Sequence, residues 1–246
     1  MTAQLLYLGK RSRPDIKTAV AFLCTRVREP DEEDKIKLTH LVQYVQNTRH
    51  LPLILRLTGN EISLYIDGAH AVHEDMRGHA GVMATGGQGA IYASSTKMKL
   101  NTLSSTESEI VSVGEKFPKN IWFRYFRRAQ GDDSTDDVLY KDNEASILME
   151  TNGRLSCERG SKHINVRYFF VTDKVKQKEI RIQHCPTKEM VADYFTKPLQ
   201  GSLFRKFRDL VLGISPQDDS DYRQEYQETI RKFGLKDHEA KANQTH

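Results

Sequence analysis

The chain has 246 residues, with 37 lysines and arginines against 33 acids and a formal net charge of +4, a balance too even to declare nucleic-acid binding by itself. A mean hydropathy of −0.61 predicts a soluble protein with a polar surface, and the apolar stretches fall far short of the ~20 residues that span a bilayer. Three scattered cysteines, Cys24, Cys157 and Cys185, argue against a disulfide framework or a Cys-rich zinc site and fit a reduced intracellular chain.

Residues 1–58 read as helical. Met1 to Arg13 is a short apolar patch followed by bases, without the form of a secretory signal. Pro14-Asp15 opens a helix in which Ile16, Val20, Leu23, Cys24 and Val27 recur at helical spacing. Pro30-Asp31-Glu32-Glu33 opens a second, with acids in its first turn and Ile36, Leu38, Leu41, Val42 and Val45 behind them. The two are expected to pair as a hairpin, with too little apolar surface to stand as a domain.

From Glu61 the period changes to two: Ile62, Leu64 and Ile66 alternate with Ser63, Tyr65 and Asp67. His79–Thr85 and Ala90–Thr96, separated by Gly86-Gly87-Gln88-Gly89, continue an antiparallel meander. A helix is predicted from about Thr106, interrupted at Pro118 and resuming to Gly131. Next come a strand at Asp137–Lys141, a short helix at Asn143–Thr151, a helix at Ile164–Lys176 and a strand at Glu179–Gln183. Helices at Lys188–Thr196 and Ser202–Leu212 close the ordered part, and the tail is expected to be mobile apart from a marginal helix over Tyr222–Phe233. The fold class is therefore α/β: a mixed five-stranded sheet flanked by helices and preceded by a helical hairpin.

Four acids stand where an ordinary fold would not choose them. Asp67 closes the first strand, Asp142 the fourth, Glu109 enters the helix behind Ser104-Ser105-Thr106, and Asp193 lies inside Met190-Val191-Ala192-Asp193-Tyr194-Phe195. Any one alone reads as a strand terminator or helix cap. Carboxylates buried together repel, and a shared divalent cation removes that cost, which points to a metal-dependent hydrolase. Two ions about 4 Å apart would suit phosphodiester cleavage, and magnesium suits all-carboxylate ligation.

The words around these acids are Tyr65-Ile66-Asp67-Gly68, Leu103-Ser104-Ser105-Thr106-Glu107-Ser108-Glu109, Tyr140-Lys141-Asp142-Asn143, Ser161-Lys162-His163-Ile164-Asn165-Val166-Arg167-Tyr168 and Val191-Ala192-Asp193-Tyr194-Phe195-Thr196-Lys197-Pro198-Leu199. In this order they resemble the ribonuclease H region of copia-type retrotransposon polyproteins, over about Ile62–Leu212. The stretch from Leu5 to Leu57 resembles the segment downstream of the polymerase palm in the same polyproteins.

The resemblance implies a ribonuclease H-like domain over 59–213, a helical remnant downstream of the palm over 1–58, and a charged tail over 214–246. It implies that Asp67, Glu109, Asp142 and Asp193 are the catalytic metal ligands, with Glu109 preferred over Glu107 because Ile110-Val111 comes directly after it. The ions would be two Mg2+, with Mn2+ as substitute. The reaction would cut the RNA strand of an RNA–DNA hybrid and leave a 3′-hydroxyl and a 5′-phosphate. Partners would be that hybrid and the polymerase part of the same element. The setting would be cytoplasm or a virus-like particle, without a membrane. No Tyr-x-Asp-Asp word is present, so the chain is expected not to synthesise DNA by itself and to be a fragment or a mis-started copy. The alternatives are a catalytically silent nucleic-acid-binding or scaffolding remnant and an integrase-type transposase. The second needs an Asp, Asp, Glu order that Glu109 before Asp142 breaks.

Two departures from the family are visible. Asn165 stands where many such elements have aspartate, and a His-bearing loop before the last acid is not evident. His163 is a candidate auxiliary for product release or proton transfer, and His184 a weaker one. His70, His73 and His79 lack a firm zinc pattern and are expected on the surface. Lys116, Lys119, Arg124, Arg127 and Arg128 interleave with Phe117, Trp122, Phe123, Tyr125 and Phe126. The aromatics are expected in the core, the bases on a solvated or phosphate-binding face. Lys174 and Lys176, with Lys178, form a second candidate edge for a hybrid, which would be recognised by shape and 2′-hydroxyls.

Overall fold

The computed structural model describes residues 1–132, 137–153 and 165–215, together with 224 and 228, and leaves side chains 165–169 undescribed. Its centre is a five-stranded sheet in the order β5-β3-β2-β6-β7. Strands β2 (Ser63–Ala69), β3 (His79–Thr85) and β5 (Tyr92–Lys97) are the antiparallel meander, with Ser63 opposite Thr85 and Ala69 opposite His79. Strands β6 (Val138–Lys141) and β7 (Arg181–His184) run parallel to β2, reached through helical crossovers. The glycine turn also forms a two-stranded ribbon, β1 (Arg56–Leu57) with β4 (Gly87–Gln88).

One face of the sheet presents Leu64, Ile66, Val82 and Leu139 to Val113, Phe117 and Ile121 of α4 (Ser105–Ala129) and to Val171 of α6 (Asn165–Lys176). The other packs Met83 and Ala93 against Val191 and Phe195 and against Phe207 and Val211 of α7 (Gly201–Leu212). The short helix α5 (Glu144–Asn152) is capped by Asn143, whose side chain accepts from the Ser146 N–H at 3.0 Å.

Two predicted elements differ in form. Helix α4 is not interrupted at Pro118: it runs 25 residues through the proline. Pro118 is exposed, so the lost hydrogen bond lies on the solvent side while Phe117 and Ile121 anchor the buried side. The segment predicted as a helix over Lys188–Thr196 is two 3-10 helices, Thr187–Glu189 and Val191–Phe195. The tail helix over Tyr222–Phe233 lies outside the described residues, apart from isolated positions.

The two helices expected before the sheet are present and pack on each other, α2 (Lys17–Thr25) and α3 (Glu32–Asn47), and a third, α1 (Thr2–Arg11), precedes them. Leu5, Ile16, Val20, Leu23 and Leu41 make a small core of their own. It closes over a buried knot in which Asp15 accepts from Arg13 and from the Tyr44 hydroxyl, both at 2.7 Å. These helices sit directly on the segment that bears Asp193. Thr18 donates to the Tyr194 carbonyl at 2.6 Å, and the Tyr194 hydroxyl to the Asp15 carbonyl at 3.0 Å.

The same segment touches β3 without room for a side chain. A Cβ on Gly81 would lie 2.7 Å from Thr196 Cγ2 and 2.8 Å from Phe195 Cβ. Gly81→Ala is therefore expected to destabilise the protein by roughly 1–3 kcal/mol through overpacking. Urea unfolding followed by circular dichroism measures it, and a midpoint equal to wild type would refute the close approach.

Candidate metal centre

The strand ends and helix starts converge where β2 and β6 finish. Asp67, Glu109 and Asp142 each offer an oxygen, and the three oxygens lie within 4.8 Å of one another. Asp67 and Glu109 are buried and Asp142 is half-buried. The Gly68 N–H donates to Glu109 Oε1 at 3.2 Å, whereas Glu109 Oε2 is buried without a hydrogen bond. The approach of α4 depends on Gly68, where a Cβ would meet the Ser108 carbonyl at 2.5 Å.

Asp193 stands outside this group of three but faces Asp67 across Lys197. The Lys197 ammonium is 2.7 Å from Asp193 Oδ1 and 3.8 Å from Asp67 Oδ2, which also accepts from Thr196. Thr187 donates to Asp142 Oδ2 at 3.3 Å. The two candidate glutamates separate: Glu107 accepts from the Leu103 N–H at the start of the helix, while Glu109 is in the acid group.

The charges strain against each other. Burial and the nearby Asp67 charge push the Glu109 carboxyl well above its usual range, against the pull of Lys141. Burial, then Asp67, pushes Asp193 up to about 7. Burial also acts upward on Asp67, yet hydrogen bonding with Glu109, the Lys197 charge and the Thr196 hydroxyl together hold it below the usual value. Such a group shares protons until a cation replaces them. An oxygen-only donor set with one buried oxygen left without a hydrogen bond fits a hard divalent ion such as Mg2+ or Mn2+.

Several residues at the centre are not singled out by the sequence. Lys141 is fully buried beneath it, 2.8 Å from Glu150 Oε1 and 3.5 Å from Glu109 Oε2. Lys197 and Thr196 belong to a family word, but only the fold turns them toward Asp67. His163 lies outside the described residues, and so does the Asn165 side chain. His184 is exposed at the end of β7. His73 and His79 are not surface residues. They are buried, 2.9 Å apart, and stacked on Phe22 of α2, with His79 bonded to Ser95 at 2.7 Å.

The basic face divides as well. Lys116 is buried and donates to Ser94 and Thr96, and Arg124 is buried against the Glu179 carbonyl and Asp137, so neither is presented to a phosphate. Arg127 pairs with Asp132 at 2.7 Å and Asp137 at 3.4 Å, and Lys174 with Glu179 at 3.2 Å. Lys119, Arg128 and Lys176 are exposed. The aromatics split by helix face. Phe117, Ile121 and Arg124 point to the core at helical spacing, which leaves Trp122, 61% exposed, outward with Tyr125 and Phe126.

A mixed sheet of this order, with an acid inside its first strand two residues before that strand ends, another just after its fourth, and a third on the helix between them, defines a ribonuclease H-like domain. The chain is 27% identical over 208 residues to a retrovirus-related Pol polyprotein from the transposon TNT 1-94 of Nicotiana tabacum. It is 30% identical over 204 residues to that of the transposon RE1 of Arabidopsis thaliana and 24% over 208 to a Ty1 Gag-Pol polyprotein of Saccharomyces cerevisiae. These matches cover 84%, 81% and 81% of this chain but only 16%, 14% and 12% of the relatives' own length. No family model matches.

Among solved structures, LC11-RNase H1 isolated from compost aligns with a TM-score of 0.42 and 16% identity, over 56% of this chain and 94% of that one. A prototype foamy virus protease-reverse transcriptase aligns with a TM-score of 0.38 and 13% identity, over 77% and 28%. Its sequence relatives are thus Pol polyproteins of copia-type retrotransposons.

Proposed function

We propose that the protein hydrolyses the RNA strand of RNA–DNA hybrids, with Asp67, Glu109, Asp142 and Asp193 as the catalytic carboxylates. We read residues 59–213 as the catalytic unit and 1–58 as a helical support docked on it. The observation that carries the reading is the convergence of Asp67, Glu109 and Asp142 from three separate elements into one oxygen-only group. These acids would hold divalent ions, Mg2+ or Mn2+, which when bound would supply Lewis acidity for activating water and stabilising the leaving oxygen.

The chain's own residues do the rest. The Gly68 N–H orients the Glu109 carboxylate, Thr196 orients Asp67, and Thr187 orients Asp142. Exposed Lys119, Arg128 and Lys176, with the outward Trp122 and Tyr125, offer charge and flat apolar surface to a phosphate backbone. The relatives are much longer Pol polyproteins, which supports a polymerase part as partner. Among the described residues no helix is long and apolar enough to cross a membrane.

Purified protein with magnesium is expected to cut the RNA of a labelled hybrid and spare duplex DNA. Asp142→Asn is expected to reduce that cleavage by at least ~100-fold, about 2.7 kcal/mol of barrier, without unfolding. Well-folded wild-type protein that cuts nothing in magnesium or manganese would overturn the reading. Hybrid binding without cleavage would instead favour a silent binding module.

A further inference from the structure

The acid centre holds two lysines, and they are held differently. Lys141 is fully buried and tied to Glu150 at 2.8 Å, so its ammonium is fixed in place. The Lys197 side chain is 43% exposed, and its ammonium reaches Asp193 at 2.7 Å and Asp67 at 3.8 Å. Asp67 is thereby shared between two arrangements. With Glu109 and Asp142 it forms a group whose buried Glu109 Oε2 has no hydrogen bond and only a 3.5 Å ion pair with Lys141, the lysine that Glu150 holds back. With Asp193 it forms a pair that already carries a cation of its own. An ammonium and a divalent ion cannot occupy one position between two carboxylates, so an ion entering the second arrangement must turn Lys197 out. The chain permits that, because the Lys197 backbone stays anchored by its N–H on the Asp193 carbonyl, 2.9 Å away, while the half-exposed side chain swings.

We infer that Lys197 covers the Asp67–Asp193 half of the centre as a resident cation. The free protein then takes one divalent ion readily on Asp67, Glu109 and Asp142, and a second only by displacing the Lys197 ammonium. Lys197 is on this account a positioning residue that sets the order of ion loading, and its displaced ammonium becomes available to a phosphate oxygen of the substrate. The inference rests on the reading of the acids as ion ligands.

Manganese binding to the full chain tests it, followed by calorimetry and by the paramagnetic signal of unbound Mn2+. Wild type is expected to bind one ion at least tenfold more tightly than the second. Lys197→Met should tighten the second step about tenfold and move the first less than threefold, while Lys197→Arg should match wild type. In an Asp193→Asn background, Lys197→Met should give no such gain. A second step that Lys197→Met leaves unmoved, in protein with wild-type circular dichroism, would overturn the inference. So would a gain that survives Asp193→Asn, because it would report a general field effect. Wild type that binds no manganese would overturn the ion-centre reading itself, and this inference with it.

Discussion

Asp67→Asn is expected to lower hybrid cleavage at least ~1,000-fold, about 4 kcal/mol of barrier, and to make the stability of the ion-free protein less sensitive to alkaline pH. The two effects share a cause. Asp67 lies in both the three-acid group and the Asp193 pair, so its charge serves every ion the centre could hold. Without ions the same charge pushes up the carboxyls of Glu109 and Asp193. An amide of equal size removes that repulsion, still accepts from Thr196, and can donate to Glu109.

The pH dependence is set by the signs of these shifts. Asp193 is held at about 7 in the folded protein against 3.8 ordinarily, so the native state binds this proton more firmly. The stabilisation it gives is complete below about pH 4 and fades as the pH rises through about 7. Glu109 acts in the same sense, whereas Asp67, held low, contributes stability that is lost in acid. Wild type in a chelator should therefore melt at a lower temperature at pH 8 than at pH 6, and the variant should show a smaller difference. Adding magnesium at pH 8 should raise the wild-type melting temperature and leave the variant's nearly unmoved. A wild-type melting temperature higher at pH 8 than at pH 6, without ions, would contradict this electrostatic account.

Much of the fold was legible because the chain changes period where its elements change. The alternation through Ile62–Asp67 and the glycine turn after Thr85 give the meander, and the apolar runs before Lys141 and at Ile180–Ile182 give the parallel strands. What escaped depends on context. Helix α1 is only ten residues long and is held by docking Leu5, Leu6 and Leu8 on α2 and the Pro14–Ile16 turn, not by its own propensity. Pro118 is a breaker in isolation, but a long buried face on the sheet outweighs one hydrogen bond. The basic run over Lys116–Arg128 looks uniform in one dimension, yet a 3.6-residue period sends Lys116 and Arg124 inward and Lys119 and Trp122 outward. At the centre, the acids stood out because four of them fall at fitting places in the predicted topology, whereas any one alone reads as a strand terminator or helix cap. Lys141 did not, since its partner Glu150 comes alongside only when α5 folds back over β6.

Lys141→Met should be the most destabilising of these substitutions, by about 3–5 kcal/mol. The lysine is fully buried, and its removal leaves Glu150, also buried and with one oxygen already lacking a hydrogen bond, without a counter-charge. Burial already pushes Glu150 up against the pull of Lys141, and losing that pull pushes it further. The variant must then bury an unpaired carboxylate or keep it protonated. A proton held more tightly in the folded state than in the unfolded one means stability that falls as pH rises. Urea unfolding should accordingly show a larger deficit at pH 8 than at pH 5.5. Adding Glu150→Met to the same chain should restore most of the loss, because two apolar side chains of similar volume replace a desolvated ion pair without leaving either charge alone. If the double variant is no more stable than Lys141→Met, the cost comes from packing or from Glu109, and the Lys141–Glu150 pair is not what holds β6 to α5.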